Sequence, residues 1–116
     1  MEGKDILERF LPKIIVEWFD IICIEDDELA KRMDLYLDEK KLIPDEIKHK
    51  QVVSDGFTQE CVVQDFPIRG RGVYLHVRRR KWKDKDTGNI YSRRFDIQHK
   101  GTELTHEFVA FLKGEN

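Results

Sequence analysis

Between Arg69 and Arg94 the sequence concentrates side chains suited to phosphate: Arg69, Arg71, Arg78, Arg80, Lys81, Lys83, Lys85, Arg93 and Arg94, interleaved with Tyr74, His76 and Trp82. Guanidinium forks match phosphate oxygens and base edges, ammonium groups act as point charges, and aromatic rings stack on sugars or unstacked bases. Spacing sharpens the reading. In GVYLHVRRRKW the apolar Val73, Leu75 and Val77 alternate with Tyr74, His76 and Arg78. A strand running on to the tryptophan carries Tyr74, His76, Arg78, Arg80 and Trp82 on one face, because side chains alternate across a strand. The polar turn KDKDTGN and the return strand IYSRRFDI complete a hairpin and bring Ser92 and Arg94 to that face. Lys81, Lys83, Lys85 and Arg93 then lie near the tip or on the alternate face, and Arg69 and Arg71 at the base. The predicted chemistry is electrostatic recognition of a polyanion. The competing reading is a solvated face whose arginines pair, each weakly, with acids of the same molecule.

Charge patterning supports the first reading. The 116 residues have a formal net charge of only -2, but residues 1 to 68 hold 9 Lys and Arg against 17 Asp and Glu, a net of -8. Residues 69 to 100 hold 11 against 3, a net of +8. So many cations on one β-ribbon repel one another unless an anionic partner or the acidic half relieves them.

Other chemistries find less support. Glu25, Asp26, Asp27 and Glu28 are four successive acids in a turn, without the spread of ligands that fixes Mg2+ for phosphoryl chemistry. His76 has no carboxylate or nucleophile at a telling spacing, and His49, His99 and His106 are scattered, so no enzyme activity is expected. Gly70 and Gly72 in RGRG lack the strand-to-helix setting of a phosphate loop and read as turn glycines. Cys23 and Cys61 form no C-x-x-C pair, read as buried thiols, and predict neither a disulfide framework nor a metal site. No cofactor is implied. No apolar run is long enough to span a membrane and the N-terminus lacks a secretory pattern, so a cytoplasmic protein with no membrane partner is expected.

The elements that position these side chains follow from periodicity. Ile6, Leu7, Phe10, Leu11, Ile14, Ile15, Trp18 and Phe19 recur at helical spacing, with Pro12 breaking the segment near Phe10 to Pro12. FDIICIE and the alternating Arg32 to Asp38 form an acidic hairpin, and two strands follow at about 51 to 54 and 58 to 65, separated by Asp55 and Gly56, the second ended by Pro67. Leu104, Phe108, Phe111 and Leu112 mark a final helix with Thr102 or Thr105 as N-cap and Gly114 as its stop. The expected fold is one α+β domain spanning residues 1 to 116: an N-terminal helical segment, a mainly antiparallel sheet of five or six strands built from hairpins, and a C-terminal helix packed on it.

The run DFPIRGRGVYLHVRRRKW, a polar turn, an aromatic-rich return strand and GTELTHEFVAFL together resemble the N-terminal region of bacterial insertion-sequence transposases, most of all the separately encoded type of Bacteroidetes elements. The pattern rests on Asp65, Phe66, Pro67, Gly70, Val73, Leu75, Arg79, Arg80 and Trp82, with Thr105 and Phe108 downstream. In one branch of those enzymes the region is a zinc-finger-like DNA-binding module. Here WKDKDTG stands in place of the second cysteine pair and only Cys61 in place of the first, so no metal is expected, and clamping of the tip falls to Trp82, Asp86, Thr87 and Gly88. The family's catalytic acids belong to a later domain. The resemblance therefore implies a non-catalytic module that binds the DNA of element ends in a transposition system. The alternative is a protein-protein interaction module that docks on a catalytic transposase chain without contacting DNA, with Met33, Leu35, Tyr36 and Leu37 as its surface, although core packing is the cheaper reading of those apolar residues.

Overall fold

In the computed structural model, residues 9 to 95 and 105 to 114 are described. Ile6, Leu7, Ile97, Thr102 and Leu104, assigned above to helices and to the return strand, lie outside them. The fold is α+β, with two short helices and seven strands in two sheets among the described residues.

Helix α1 (Lys13–Trp18) begins directly after Pro12, whose carbonyl accepts the N–H groups of Ile15 and Val16 at 3.0 and 3.2 Å. The proline stands ahead of the helix rather than inside it, where its missing donor does no harm. Phe19, which the helical spacing and the FDIICIE strand both claim, is the first residue of β1 (Phe19–Asp27). Strand β2 (Arg32–Glu39) returns antiparallel from a turn in which the Asp27 carboxylate accepts the Ala30 N–H at 3.0 Å. This is the expected acidic hairpin. A 3-10 turn (Asp45–Ile47) follows, then β3 (Val52–Phe57), β4 (Cys61–Ile68), β5 (Arg71–Arg78), β6 (Arg80–Asp84) and β7 (Ile90–Ser92).

The larger sheet has the order β1-β2-β5-β4, with β2 and β5 parallel and the other pairs antiparallel. Arg69 (φ +52°) and Gly70 (φ +79°) form the two-residue β4–β5 turn, both in the left-handed region that a hairpin of this length favours. Gly72 corrects its turn assignment: it is a strand residue, and a Cβ there would lie 3.2 Å from the Tyr74 ring. Pro67 does not end β4 either. It sits in a bulge on this edge strand, where its missing N–H is tolerated.

One face of the larger sheet forms the core. Phe19, Ile21, Leu35, Leu37, Val73, Leu75 and Val77 are buried against Leu11 and Ile15, with Trp18 and Phe95 packed at the margin. Thus Leu35 and Leu37 belong to the core and Met33 packs beside it, leaving only Tyr36 of that proposed docking set on the outer face. The cysteines are corrected too: both are exposed, Cys23 beside a bulge in β1 and Cys61 at the start of edge strand β4.

Helix α2 (His106–Leu112) packs on β4 and has Thr105 as its cap, one of the two residues expected there. The Thr105 hydroxyl accepts the Phe108 N–H at 3.2 Å and donates to Asp65 at 2.9 Å, so one buried side chain both caps the helix and ties it to the sheet.

The smaller sheet has the order β3-β6-β7 and is wholly antiparallel. The expected long hairpin is therefore divided: β5 pairs within one sheet, β6 within the other, and Arg79 lies between them. Thr58 brackets Arg79, donating its N–H to the Arg79 carbonyl at 2.7 Å and accepting the Arg79 N–H on its hydroxyl at 3.1 Å. At this junction the inward parity shifts by one residue, from Val73, Leu75 and Val77 to Trp82 and Asp84.

Candidate functional site

The parallel β2–β5 pair brings the acidic and basic halves of the chain side by side. Its register opposes Asp34 with Tyr74, Tyr36 with His76 and Asp38 with Arg78, all on the face away from the core. The Arg78 guanidinium donates twice to the Asp38 carboxylate, at 2.7 and 2.6 Å, and covers the Phe57 ring at 4.5 Å. His76 stacks on Tyr36 with ring centroids 4.3 Å apart. Its Nε2 lies 2.6 Å from Asp34 and its Nδ1 3.0 Å from Glu60. Both ring nitrogens can serve carboxylates only if both carry protons, which is the imidazolium form. Burial opposes that charge, but the hydrogen bonds His76 donates to Glu60 and Asp34 outweigh it and raise the His76 pKa.

Further links extend this ladder. Arg32 donates to both Asp34 oxygens at 2.8 and 2.9 Å and lies 3.9 Å above the Tyr74 ring. The Asp34 pKa is accordingly lowered, first by the Arg32 hydrogen bond and then, against the opposing effect of burial, by His76. Tyr36 donates to Glu25 at 2.7 Å, and its hydroxyl pKa is pushed up to about 12 by that hydrogen bond. At the turn end of the sheet Arg71 reaches Asp26 at 2.6 Å and Glu28 at 3.5 Å. This face has few groups left to offer an external anion. Among the described residues no group of three His, Cys, Asp or Glu side chains is placed to hold a metal ion.

Arg80 stands at the junction of the sheets. Its N–H donates to the buried Glu39 carboxylate at 2.9 Å, and its guanidinium serves the Glu39 carbonyl at 3.2 and 3.3 Å and the Ser54 hydroxyl at 2.7 Å. Burial raises the Glu39 pKa against the pull of this hydrogen bond and the nearby arginines. Arg79 donates to the Arg93 carbonyl at 3.2 Å. Both guanidinium groups brace the backbone.

The smaller sheet differs. Trp82 is only 2% exposed, on the face shared with Ser54 and Tyr91 by register. Lys81 and Lys83 project from the other face, where Lys83 is flanked by Val53 and Ile90, 39% and 48% exposed. The tip is held by the buried Asp84, whose carboxylate accepts the Asp86 and Thr87 N–H groups at 2.8 and 3.4 Å. These hydrogen bonds, that of Asp86 first, lower its pKa. Gly88 (φ +78°) donates its N–H to the Asp84 carbonyl at 2.8 Å, as a tight polar turn requires.

Of the predicted site residues, Tyr74, His76, Arg78 and Arg71 lie on the larger sheet, engaged as described, and Arg69 is exposed in its turn. Lys83, Lys85 and Arg94 are exposed and Lys81 half-buried, none with an ion pair among the described residues. Arg93 lies 4.2 Å over the Trp18 ring. Hence the expected single face through Arg78, Arg80 and Trp82 does not exist.

The region around the smaller sheet, residues 40 to 58 and 79 to 95, holds 11 Lys and Arg against 5 Asp and Glu, a net of +6. Sequence reasoning missed the contribution of Lys41 and Lys50, which belong to the acidic half of the chain. No linear charge count could reveal them. The competing reading of arginines paired with acids of the same molecule holds for Arg78, but it did not name Asp34, Asp38 and Glu60, although the alternation of acids along β2 was a visible signal. Among the described residues no helix is long and apolar enough to cross a membrane. No protein-family model, curated protein or solved structure matches the chain.

Proposed function

We propose that the chain is a non-catalytic module that binds DNA through the β6 lysines Lys81 and Lys83, with Lys85 at the tip and Arg94 adding to the local charge. The observation that supports this reading is the contrast between two sets of cations. Arg71, His76 and Arg78 are held against carboxylates at 2.6 to 3.0 Å, whereas the lysines of β6 have no ion pair among the described residues. Unpaired ammonium groups beside exposed apolar side chains suit a phosphate backbone: binding releases counterions without first breaking an internal pair. The resemblance noted above makes the ends of a bacterial insertion sequence the first DNA to try, and a cytoplasmic setting follows from it.

The test is a salt-titrated binding assay with element-end and random duplexes. If about four phosphates are neutralised, log K should fall against log salt with a slope of about -4. Lys81→Gln, Lys83→Gln and Lys85→Gln together should flatten the slope to about -1, while Arg71→Gln with Arg78→Gln should leave it nearly unchanged. A native slope near zero, or equal losses from the two sets, would refute the reading. Exposed Ile43, which lines a groove with Val53, favours a second reading, a module that docks on a catalytic transposase chain. Capture of that chain by a protein that binds no duplex at low salt would select it.

A further inference from the structure

A groove of about 390 Å³ lies between the 3-10 turn and β7, lined by Pro44, Glu46, Ile47, Tyr91, Ser92, Arg93 and Arg94. Arg93 is fixed by stacking on Trp18 at 4.2 Å, yet its guanidinium has no carboxylate partner among the described residues, and its Nε is buried without an acceptor. The Nε is closed to the groove, but the rest of the guanidinium lines it, and an oriented arginine fork is a ready receptor for a doubly charged oxyanion. Arg94, exposed and without an ion pair among the described residues, adds a second cation, and Ser92 also lines the groove. Pro44, Ile47 and the Tyr91 ring supply an apolar wall for a flat or ring-shaped group.

We propose that this groove binds a phosphomonoester carried on a nucleoside, with Arg93, Arg94 and Ser92 on the phosphate and Tyr91, Pro44 and Ile47 against the base or sugar. The volume falls within the range of small-molecule sites. Three nearby carboxylates oppose the anion. Asp45 is engaged by Lys48 at 2.7 Å, and Glu46 is exposed at the rim. Glu39, whose Oε2 is buried without a partner, is also close enough to Arg93 for that arginine to lower its pKa. The chemistry is shared by a free nucleotide and by the terminal phosphate of a nucleic-acid strand, and it does not require the β6 lysines.

The full chain is titrated with AMP, with a 5′-phosphorylated dinucleotide and with the same dinucleotide bearing a 5′-hydroxyl, following tryptophan fluorescence because Trp18 lies under Arg93. The phosphorylated ligands should bind, and the hydroxyl form about ten-fold more weakly, the scale of one hydrogen bond to a charged group. Arg94→Gln, at an exposed position that leaves the fold intact, should weaken binding about ten-fold. Glu46→Gln should tighten it, which a merely structural role would not produce. The Lys81, Lys83 and Lys85 glutamine variant should leave it unchanged, separating this site from duplex binding. Response to AMP alone assigns the site to free nucleotides, and response to the phosphorylated dinucleotide alone assigns it to strand ends. Equal binding of phosphorylated and hydroxyl dinucleotides, or indifference to both Arg94→Gln and Glu46→Gln, would overturn the proposal.

Discussion

Replacing His76 by glutamine tests the charge ladder at its centre. In the native protein the imidazolium serves Asp34 through Nε2 and Glu60 through Nδ1. Glutamine is neutral, and its amide can keep a carboxylate supplied on one side only. At pH 6 the variant should therefore lose about one charge-assisted hydrogen bond, or about 1.5 to 3 kcal/mol of stability. Asp34 retains both bonds from Arg32, so the loss stays within that range rather than reaching that of a stranded buried charge.

The pH dependence is more discriminating than the loss itself. Because the folded pKa of His76 is raised above its ordinary value of 6.5, the stability it provides is complete below 6.5 and is lost as pH climbs through the folded pKa. The native protein should lose stability with pH in that window at no more than about 1.4 kcal/mol per pH unit, the limit for one proton. Above it the neutral imidazole has a single N–H and resembles the glutamine. The difference between native and His76→Gln should accordingly shrink from pH 6 towards pH 9. Tyr36, with its hydroxyl held up to about 12, does not titrate there. Urea unfolding of both proteins at half-unit pH intervals provides the comparison. A difference that is constant or grows with pH would mean that His76 is not held as a cation, and the ladder reading would fail.

Two other expectations concern packing. Trp82→Ala should cost about 3 to 5 kcal/mol, since the side chain is 2% exposed in the smaller sheet; a loss under about 1 kcal/mol in denaturant unfolding would restore the exposed, stacking tryptophan expected from sequence. Thr105→Ala should cost about 2 kcal/mol, removing both the cap on Phe108 and a donor to buried Asp65, and hydrogen exchange should show α2 deprotected before β5; uniform protection would argue that the helix is held by its apolar contacts alone.

What the sequence revealed about the fold tracks the range of the interactions involved. Period-two alternation in Arg32 to Asp38 and Val73 to Arg78 located the core faces of β2 and β5, and the threonines before the last helix narrowed its cap to Thr102 or Thr105, because each signal is local. Alternation failed at Arg79, where the chain leaves one sheet for another and the parity slips by one residue. Extrapolating through that point put Trp82 among the cations, although a tryptophan between lysines is itself a sign that the inward face had changed. Least legible was the partner of β5. Acids at alternate positions of one strand and cations at alternate positions of another are complementary only when the strands lie adjacent, parallel and in the right register, and that is a long-range choice. Once Asp34, Asp38 and Glu60 meet His76 and Arg78, the density of arginine ceases to mark an outward-facing site. Exposed cations without an internal counter-charge are then the informative ones, which moves the candidate surface from the arginines of β5 to the lysines of β6 and to the groove at Arg93 and Arg94.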